Sequence, residues 1–549
     1  MECINASQWK TKQSIGETSY YVGRYPGTTP STWRACHGAF AYLHHDLATC
    51  ALTASRDHFG LEPFYYYLDR ERFIFGSTVP DILKHLDEHP SFNFDRILNE
   101  CFSVDQVLSP TYSDETFLKN ISRVEPGHSL KIYKNKIVKQ SFWQLDPEAP
   151  SIIYKDERDY LAHFSFLLDA AVNEQMEEGE NLGAELSGGL DSSAILVSCH
   201  RQGLNPTLFS HIAPAKSGLI DDQEQARCVM EKLKFKNVHY LDAEQFDPLS
   251  VFHELSSLFA GAPPYIFFML ANNVHQAVVK EGCTTLLSGF GGDECVSSYA
   301  RNNSFYPELL RSRRFRLAWR EMVLQLQKNS SASPSALTVL YQLARYAHPK
   351  LFKLYLKRNS RSARSVVRGY PYFPSVRHFE HAQLQGSLSR HVRMRVEYSA
   401  VLARYMGFQY RYPMLHPPLV EFCFSLPISQ KRNLGMGRSL IRRYLAEYLP
   451  PLVSDHASKR GEIVPATRFK FNRYLEEGRF KDAFSELPFE EEIKKIALTQ
   501  VQPLARILAY MFKCYGQKQG INFRPQLDRI SSMHSLKSLD GLFTRVETG

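Results

Sequence analysis

The chain has 549 residues, more than one ordinary domain, and its length predicts two or three. No stretch approaches the roughly 20 apolar residues of a membrane span, and the N-terminus lacks the apolar region of a signal peptide. The ten cysteines show neither CxxC nor zinc spacing, and the formal charge of +9 is modest. We therefore expect a soluble, cytoplasmic protein with reduced thiols and no membrane partner.

Residues 1–147 are predicted to form a β-rich domain. The runs GAFAYLHHD and CALTASRD have strand-forming residues, and PFYYYLD and RFIFGS flank a charged turn, as in a hairpin. A second hairpin is predicted over residues 128–143, with its turn at Lys134–Lys136. The segment PEAPS has the composition of a linker, so a second domain is predicted over residues 153–549.

The apolar period becomes helical near residue 158, and strands then alternate with helices. The alternating segments are NLGAEL (181–186), SAILVSCHRQG (193–203), TLFSHIA (207–213), DDQEQARCVMEKLKF (221–235), VHYLD (238–242) and CTTLLSGFGGDE (283–294). This order predicts a parallel sheet with helices on both faces, the α/β class. Beyond residue 305 the chain is predicted to be almost wholly helical.

The loop SGGLDSS (187–193) lies between a predicted strand and a predicted helix. Glycines and small hydroxyl residues at a helix N-terminus present backbone N–H groups to an anion. Ser187, Ser192 and Ser193 can donate hydrogen bonds to phosphate oxygens, and the carboxylate of Asp191 suits Mg²⁺. A Walker loop is excluded because no Gly-Lys-Ser/Thr follows.

This loop resembles the pyrophosphate loop of the N-type ATP pyrophosphatases, and the wider sequence is similar to the asparagine synthetase and β-lactam synthetase family. The other segments that carry the resemblance, in order, are SRDHFGLEPFYYY (55–67), ISRVEPGHSLKI (121–132), DDQEQARCVMEKL (221–233), LLSGFGGDECVSSY (286–299), YRYPMLHPPLVEFCFSLP (410–427) and GRSLIRRYLAEYLPPLVSDHASKRG (437–461). The resemblance implies a degenerate Ntn-hydrolase-like domain followed by an adenine-nucleotide α-hydrolase-like synthetase domain.

The resemblance also implies roles for individual residues. ATP phosphates and a metal would be held by Leu186, Ser187, Gly188, Gly189, Asp191, Ser192 and Ser193. Ser288 and Gly289 would lie near the adenosine, and Asp293 would be the second Mg²⁺ carboxylate. Lys459 would stabilise transition-state charge, with a surface lysine as the alternative, and Arg438 and Arg442 would support it or the leaving pyrophosphate.

The implied reaction joins an acid to an amine. A carboxylate attacks the α-phosphorus of ATP, pyrophosphate leaves, and an amine then displaces AMP from the acyl-adenylate. Mg²⁺ and the lysine neutralise the growing charge.

Three departures from the family pattern bear on the amine. Residue 2 is Glu2 and the cysteine is Cys3, so the N-terminal thiol nucleophile of a glutaminase is missing. Few residues precede GAFAYLHHD, where the family has glutamine-binding segments. The Tyr–Glu pair that deprotonates the amine in β-lactam synthetases corresponds to Phe290 and Gln409, and neither is a base at neutral pH.

These departures favour a macrolactam cyclase like those of the lasso peptides, which joins a side-chain carboxylate of a precursor peptide to its N-terminal amine. A glutamine- or ammonia-dependent asparagine synthetase and an inactive ATP-binding scaffold are the alternatives. His416 is a candidate base, although a packing histidine is the commoner role.

Residues 311–368 carry fourteen basic residues and one acid, Glu321. Such a run is most often a solvated helical face. The functional alternative is a surface that binds a precursor peptide, a partner protease or a leader-binding protein. Nucleic-acid binding is disfavoured.

Overall fold

The computed structural model describes residues 2–7, 9–14, 17–93, 96, 113–134, 136–176, 179–212, 222–242, 252–260, 272–297, 302–329, 333–347, 390–455 and 477. Lys459 and the basic residues from Lys350 to Arg368 lie outside these ranges. Within them, no helix combines the length and the apolar character needed to cross a bilayer.

Two β-sheets form the N-terminal part. Its strands and helices are β1 (Glu2–Asn5), β2 (Lys10–Ser14), β3 (Glu17–Gly23), α1 (Pro30–Ala35), β4 (Phe40–Asp46), β5 (Ala51–Arg56), β6 (Tyr65–Leu68), β7 (Arg72–Gly76), α2 (Val79–Leu83), β8 (Ile121–Arg123), β9 (His128–Tyr133) and β10 (Lys136–Ser141). One sheet has the order β1-β7-β6-β8 and the other β10-β9-β5-β4-β3-β2. Both predicted hairpins are confirmed, since β6 pairs with β7 and β9 with β10, each antiparallel.

The core of this part lies between the two sheets. Because side chains alternate along a strand, Phe73 and Phe75 of β7 point inward and are fully buried. Trp9 packs edge-on against Phe64 and Phe75, with ring centroids 4.8 and 5.0 Å apart. Leu52 of β5 completes the contact from the other sheet.

The second part is built on a five-stranded parallel sheet of order β13-β12-β11-β14-β15. Its elements are α3 (Glu157–Asn173), β11 (Leu182–Glu185), α4 (Leu190–Arg201), β12 (Thr207–Ile212), α5 (Gln223–Leu233), β13 (Val238–Asp242), α6 (Phe252–Leu258), α7 (Asn272–Lys280), β14 (Thr285–Leu287), α8 (Asn302–Arg311), α9 (Phe315–Asn329), α10 (Ala336–Ala347), α11 (Arg390–Met406), β15 (Gln409–Arg411), α12 (Pro417–Phe424), α13 (Ile428–Lys431), β16 (Arg432–Asn433), β17 (Met436–Gly437), α14 (Ser439–Ala446) and α15 (Pro451–Ser454). The predicted α/β class is confirmed. The described residues beyond 305 are mostly helical, as predicted, and the exceptions are β15, which adds an edge strand to the sheet, and the short hairpin β16–β17.

Helices cover both faces of this sheet. Leu182 and Ala184 of β11 face a core shared with α3 and α4. Leu286 of β14 and Tyr410 of β15 face a second core shared with α7 and α11. The carboxyl ends of the parallel strands therefore meet at one edge, where the loops after β11 and β14 lie side by side.

A buried ion-pair network joins the two parts. Glu397 of α11 is fully buried and lies 3.4 Å from Arg56 Nη1 and 2.7 Å from Arg123 Nε. Tyr65 donates its hydroxyl to Glu397 over 2.6 Å. Burial opposes ionisation of Glu397, but the two guanidiniums outweigh it and hold its pKa below the ordinary value.

Candidate active site

The loop after β11 folds tightly onto the start of α4. Gly189 is the N-cap of α4, and Ser193 donates its hydroxyl to the Gly189 carbonyl over 2.7 Å. The Ser187 and Ser192 hydroxyl oxygens are 2.9 Å apart. Gly188 has φ of +73°, and a Cβ there would lie 2.6 Å from the Asp222 carbonyl, so this position requires glycine. The loop therefore presents the N-terminus of a twelve-residue helix at the edge of the sheet.

The loop after β14 packs directly against the first loop. A Cβ on Gly289 would lie 2.6 Å from the Ser192 nitrogen, and one on Gly292 would lie 2.1 Å from Asp191 Oδ1. Only residues without a side chain allow this approach. A π-helical turn, Gly292–Val296, follows and carries Asp293.

Asp191 and Asp293 meet at one guanidinium. The Arg438 side chain donates to Asp191 through Nη2 and lies 2.5 Å from Asp293 Oδ1 through Nη1. Its Nε donates to the Ser297 hydroxyl over 2.6 Å. Arg438 is 5% exposed and has a left-handed backbone with φ of 63°, a strained conformation for arginine. Two carboxylates from separate loops thus converge on one cationic position.

This arrangement fits a divalent cation in its donor chemistry. Mg²⁺ prefers carboxylate oxygens, and both loops bring such oxygens to the same place. Asp191 and Asp293 are the residues that would hold the cation.

Ser288 and Tyr410 converge on Glu185, a residue whose role the sequence did not reveal. The Ser288 hydroxyl donates to Glu185 Oε2 over 2.5 Å, and the Tyr410 hydroxyl donates to Oε1. Burial, and then the nearby Glu185 carboxylate, raise the pKa of Tyr410 well above its ordinary value. The available signal was an acidic residue at the end of the apolar strand NLGAEL, immediately before the glycine-rich loop.

Other candidate residues have different surroundings. Leu186 is 1% exposed and packs in the core that α3 and α4 share. Arg442 donates to the carbonyls of Gly437 and Ser454 over 3.0 and 2.8 Å, which ties α14 to α15. Lys459 is not among the described residues, so its role stays a prediction.

The candidate base His416 and the two residues that replace the Tyr–Glu pair, Phe290 and Gln409, also have defined contacts. Phe290 is 8% exposed, and the Arg395 guanidinium lies 3.9 Å from its ring centroid. Gln409 accepts a hydrogen bond from Arg411. His416 Nε2 lies 3.1 Å from Glu174 Oε2, and burial lowers the pKa of His416 although Glu174 opposes this.

Cys3 is positioned as a strand residue and not as a free N-terminal nucleophile. It lies in β1, opposite Phe73 of β7. Burial raises the pKa of its thiol to about 12. A thiol with that pKa is almost entirely protonated at neutral pH and is a poor nucleophile.

The fold and the site define an α/β protein in two parts, a two-sheet domain followed by a parallel sheet with a glycine-rich loop at its carboxyl edge. Residues 163–505 match the asparagine synthase family, and residues 8–143 match the glutamine amidotransferase domain family. The first match covers more than half of the chain, and the chain belongs to the asparagine synthase family. The predicted family resemblance is thereby confirmed.

Individual relatives agree with the family match. A Methanocaldococcus jannaschii protein with the provisional name asparagine synthetase (glutamine-hydrolyzing) 2 is 29% identical over 280 residues, 49% of this chain and 51% of that protein. Asparagine synthetase (glutamine-hydrolyzing) 3 of Bacillus subtilis is 32% identical over 161 residues, 29% of this chain and 25% of that protein. The chain therefore spans about half the length of the first relative and a quarter of the second.

One solved structure that matches part of this chain adds nothing to this assignment. The U34-tRNA thiolase NcsA from Methanococcus maripaludis is 11% identical and covers 57% of this chain and 95% of its own, with a TM-score of 0.19. A score this low carries no argument about the fold.

Proposed function

We propose that the protein is an ATP-dependent ligase that forms an amide bond between a carboxylate and an amine. The observation that carries the proposal is the convergence of Asp191 and Asp293, from loops after two parallel strands, on the Arg438 guanidinium. Membership of the asparagine synthase family supports it. The proposed domain boundary is the segment 148–152, between an amidotransferase-like part and a synthase part.

The side chains of the two loops have separate tasks in the proposed reaction. The hydroxyls of Ser187, Ser192 and Ser193 and the first amides of α4 would bind the ATP phosphates. Asp191 and Asp293 would hold Mg²⁺, which when bound offsets phosphate charge. The Arg438 guanidinium would stabilise the pyrophosphate as it leaves.

The proposed reaction has two bond-forming steps. A carboxylate oxygen bonds to the α-phosphorus, and the bond from that phosphorus to the bridging oxygen breaks, releasing pyrophosphate. The amine nitrogen then bonds to the acyl carbon, and AMP leaves with the electron pair of the broken C–O bond. Lys459 would stabilise the charge that develops in either step.

Glu185 is the proposed acceptor of the amine proton. Its carboxylate lies next to Ser288, which is expected near the adenosine, and Glu185 lies two residues before the phosphate-binding loop 187–193. Tyr410 fixes its orientation through a hydrogen bond. A carboxylate held in this way can take the proton that Phe290 and Gln409 cannot.

For the substrate, we propose macrolactam formation in a ribosomal precursor peptide. The half-buried Cys3, whose thiol pKa burial raises to about 12, supports an amine that does not come from glutamine. Arg313, Arg314 and Arg316 form an exposed basic surface, which supports binding of an acidic peptide or a partner protein. Glu321, the one acid in residues 311–368, does not reduce this charge at the surface, because it is buried and accepts hydrogen bonds from backbone amides.

The second candidate is asparagine synthesis. The relatives in Methanocaldococcus jannaschii and Bacillus subtilis carry that name, and the synthase match includes the region of Lys459. In this case the carboxylate is aspartate and the amine is ammonia.

One assay separates the candidates. The full chain is incubated with ATP and Mg²⁺, in one arm with aspartate and ammonia or glutamine, and in the other with linear peptides that carry a free N-terminus and an internal Asp or Glu. We expect AMP, pyrophosphate and a peptide that has lost the mass of one water. Asparagine in the first arm would establish the second candidate, and release of AMP in neither arm would contradict the proposed ligase.

A further inference from the structure

Two histidines and a glutamate meet where the two parts of the molecule touch. Glu174 Oε2 lies 3.1 Å from His416 Nε2 and 3.7 Å from His37 Nδ1. The three ligand atoms all lie within 4.8 Å of one another. The two imidazole rings are in edge contact, with centroids 5.3 Å apart.

Two of these separations, 3.1 and 3.7 Å, are close to those in a tetrahedral metal centre. With metal–ligand bonds of about 2.0–2.1 Å, neighbouring ligand atoms in a tetrahedron are about 3.3 Å apart. Two imidazole nitrogens and one carboxylate oxygen form a ligand set that zinc commonly has in proteins. The observed separations therefore need only small side-chain rotations to bring all three atoms onto one ion.

Each ligand comes from a different element. His37 follows α1 in the amidotransferase part, Glu174 is the C-cap of α3, and His416 is the N-cap of α12. The His416 side chain is 1% exposed, whereas the His37 and Glu174 side chains are 33% and 41% exposed. One ligand is thus fixed in the interior, and the other two leave the position open to an ion and a water molecule from solvent.

The position also connects to the loop that carries Asp293. The 3₁₀ turn Pro413–Leu415 directly precedes His416, and a Cβ on Gly291 would lie 2.5 Å from Leu415 Cδ2. Anything that fixes His416 therefore also fixes the surface against which the glycine-rich turn packs.

We infer that His37, Glu174 and His416 bind one divalent transition-metal ion, with Zn²⁺ as the best-matched ion, and that this ion ties the amidotransferase part to the synthase part. The inference does not depend on the proposed ligase activity. The alternative is a hydrogen-bonded His416–Glu174 pair without metal. That alternative does not explain why His37 Nδ1 approaches the same carboxylate oxygen.

Metal binding by the full chain tests this inference. The protein is stripped with EDTA, exchanged into buffer with a phosphine reductant, and titrated with Zn²⁺ by calorimetry, and with Co²⁺ by visible absorption. We expect one high-affinity Zn²⁺ per chain, a tetrahedral Co²⁺ spectrum, and a higher thermal midpoint with Zn²⁺.

Two variants test the ligands, and a third is the control. His37→Ala and Glu174→Gln change exposed side chains and should weaken Zn²⁺ binding by at least about tenfold, and each should lose the Zn²⁺-induced rise in thermal midpoint. His239→Ala is the matched control, since His239 lies 3.4 Å from Glu281 and no second histidine joins this pair among the described residues. Wild-type affinity in both ligand variants, or no stoichiometric Zn²⁺ binding by the wild-type chain, would overturn the inference.

Discussion

At the residue scale, the site depends on three charged side chains that are mostly removed from solvent. Asp191 and Asp293 have side chains 12% and 10% exposed, and both contact Arg438. A buried charge is tolerated only when it is paired and hydrogen-bonded, and both carboxylates contact the Arg438 guanidinium. The backbone of Arg438 is strained, which indicates that the contacts of its guanidinium contribute more free energy than the strained conformation costs.

The proton acceptor can be tested at Glu185. We expect Glu185→Gln to leave carboxylate-dependent exchange of pyrophosphate into ATP near the wild-type rate and to slow amide formation about a hundredfold or more, because the amide side chain cannot accept the proton. Tyr410→Phe should have a smaller effect, since the carboxylate remains. Exchange and product formation are measured on the same peptide substrate.

The control for this variant is Glu224→Gln, which changes an exposed carboxylate on α5. Equal amide formation by Glu185→Gln and the wild type would remove Glu185 from the mechanism. Loss of exchange and amide formation together would instead assign it to nucleotide binding.

Cys3 is expected to be unreactive. Because burial raises its pKa from 9.0 to about 12, its thiolate fraction at pH 8 is about a thousandfold below that of an ordinary thiol. Iodoacetamide at pH 8 should therefore modify the exposed Cys50 well before Cys3, as measured by peptide mapping. Alkylation of Cys3 at the rate of Cys50, or loss of glutamine hydrolysis in Cys3→Ala, would contradict this.

At the element scale, glycine allows the loops after β11 and β14 to touch. Gly289 and Gly292 lie where any side chain would enter the start of α4 or the Asp191 carboxylate. The parallel strands β11 and β14 are neighbours in the sheet, so their carboxyl ends already lie together. The sheet thus sets the approximate distance between the two carboxylates, and the glycines permit the final contact.

Substitution of Gly292 tests this packing. Its φ lies outside the left-handed region, so Gly292→Ala adds only a methyl group, 2.1 Å from Asp191 Oδ1. We expect the displaced carboxylate to weaken ATP binding in Mg²⁺ by about tenfold, and overpacking to lower the free energy of unfolding by about 1–3 kcal/mol. ATP affinity is measured by calorimetry and stability by urea unfolding.

Gly203→Ala is the matched control. Gly203 follows α4 with φ of +71° and has open space around its Cβ position. This variant should lose stability through backbone strain while its ATP affinity is unchanged. If both glycine variants bound ATP equally well, the contact between the loops would have no part in nucleotide binding.

At the scale of the whole molecule, the network of Glu397 with Arg56 and Arg123 determines how the two parts are joined. The charges come from β5, β8 and α11, which are remote in the chain. Removing one partner of a buried ion pair leaves the other charges uncompensated, which is far costlier than losing an exposed pair.

Glu397→Gln should lower the free energy of unfolding by about 3 kcal/mol or more. The pKa of Glu397 is lower in the folded protein than in the unfolded chain, so its ionised form stabilises the fold above about pH 4.3. This contribution is lost as the pH falls through the lower folded value, and the difference between wild type and variant should shrink there. Urea midpoints at pH 7 and in acid give both quantities.

The control is Asp87→Asn, because Asp87 is 91% exposed and pairs with Arg72 over 3.5 Å. Its loss should change stability by no more than about 0.5 kcal/mol. An effect of Glu397→Gln as small as that of Asp87→Asn would contradict the structural role of the network.

The sequence was sufficient for most of the fold where periodicity is strong. The strands β11 to β14 and the helices α4 and α5 have apolar runs bounded by glycine or charge, and they were predicted close to their observed positions, whereas α6 and α7 were not predicted. The strand β2 was not predicted, because Lys10–Ser14 is polar and fully exposed and has no apolar alternation. The strand β15 was not predicted because three residues between helices carry too little pattern.

Composition alone indicated only the site residues of one short segment, and Asp293 and Arg438 were named through the family resemblance. The loop residues 187–193 can be recognised from their glycines and small hydroxyl side chains. The contact between Glu185 and Tyr410 depends on the order of strands in the sheet. The cluster of His37, Glu174 and His416 has no sequence spacing that could reveal it, since each residue comes from a different element.

The central claim is that Asp191 and Asp293 act together on one magnesium-bound ATP, and ATP affinity measured by calorimetry with Mg²⁺ and with EDTA tests it most directly. We predict that Asp191→Asn and Asp293→Asn each weaken binding in Mg²⁺ by at least about tenfold, or about 1.4 kcal/mol, and abolish the difference between the two conditions. The exposed Asp159→Asn should behave as the wild type. If either site variant is folded and binds ATP with the wild-type dependence on Mg²⁺, the claim is wrong.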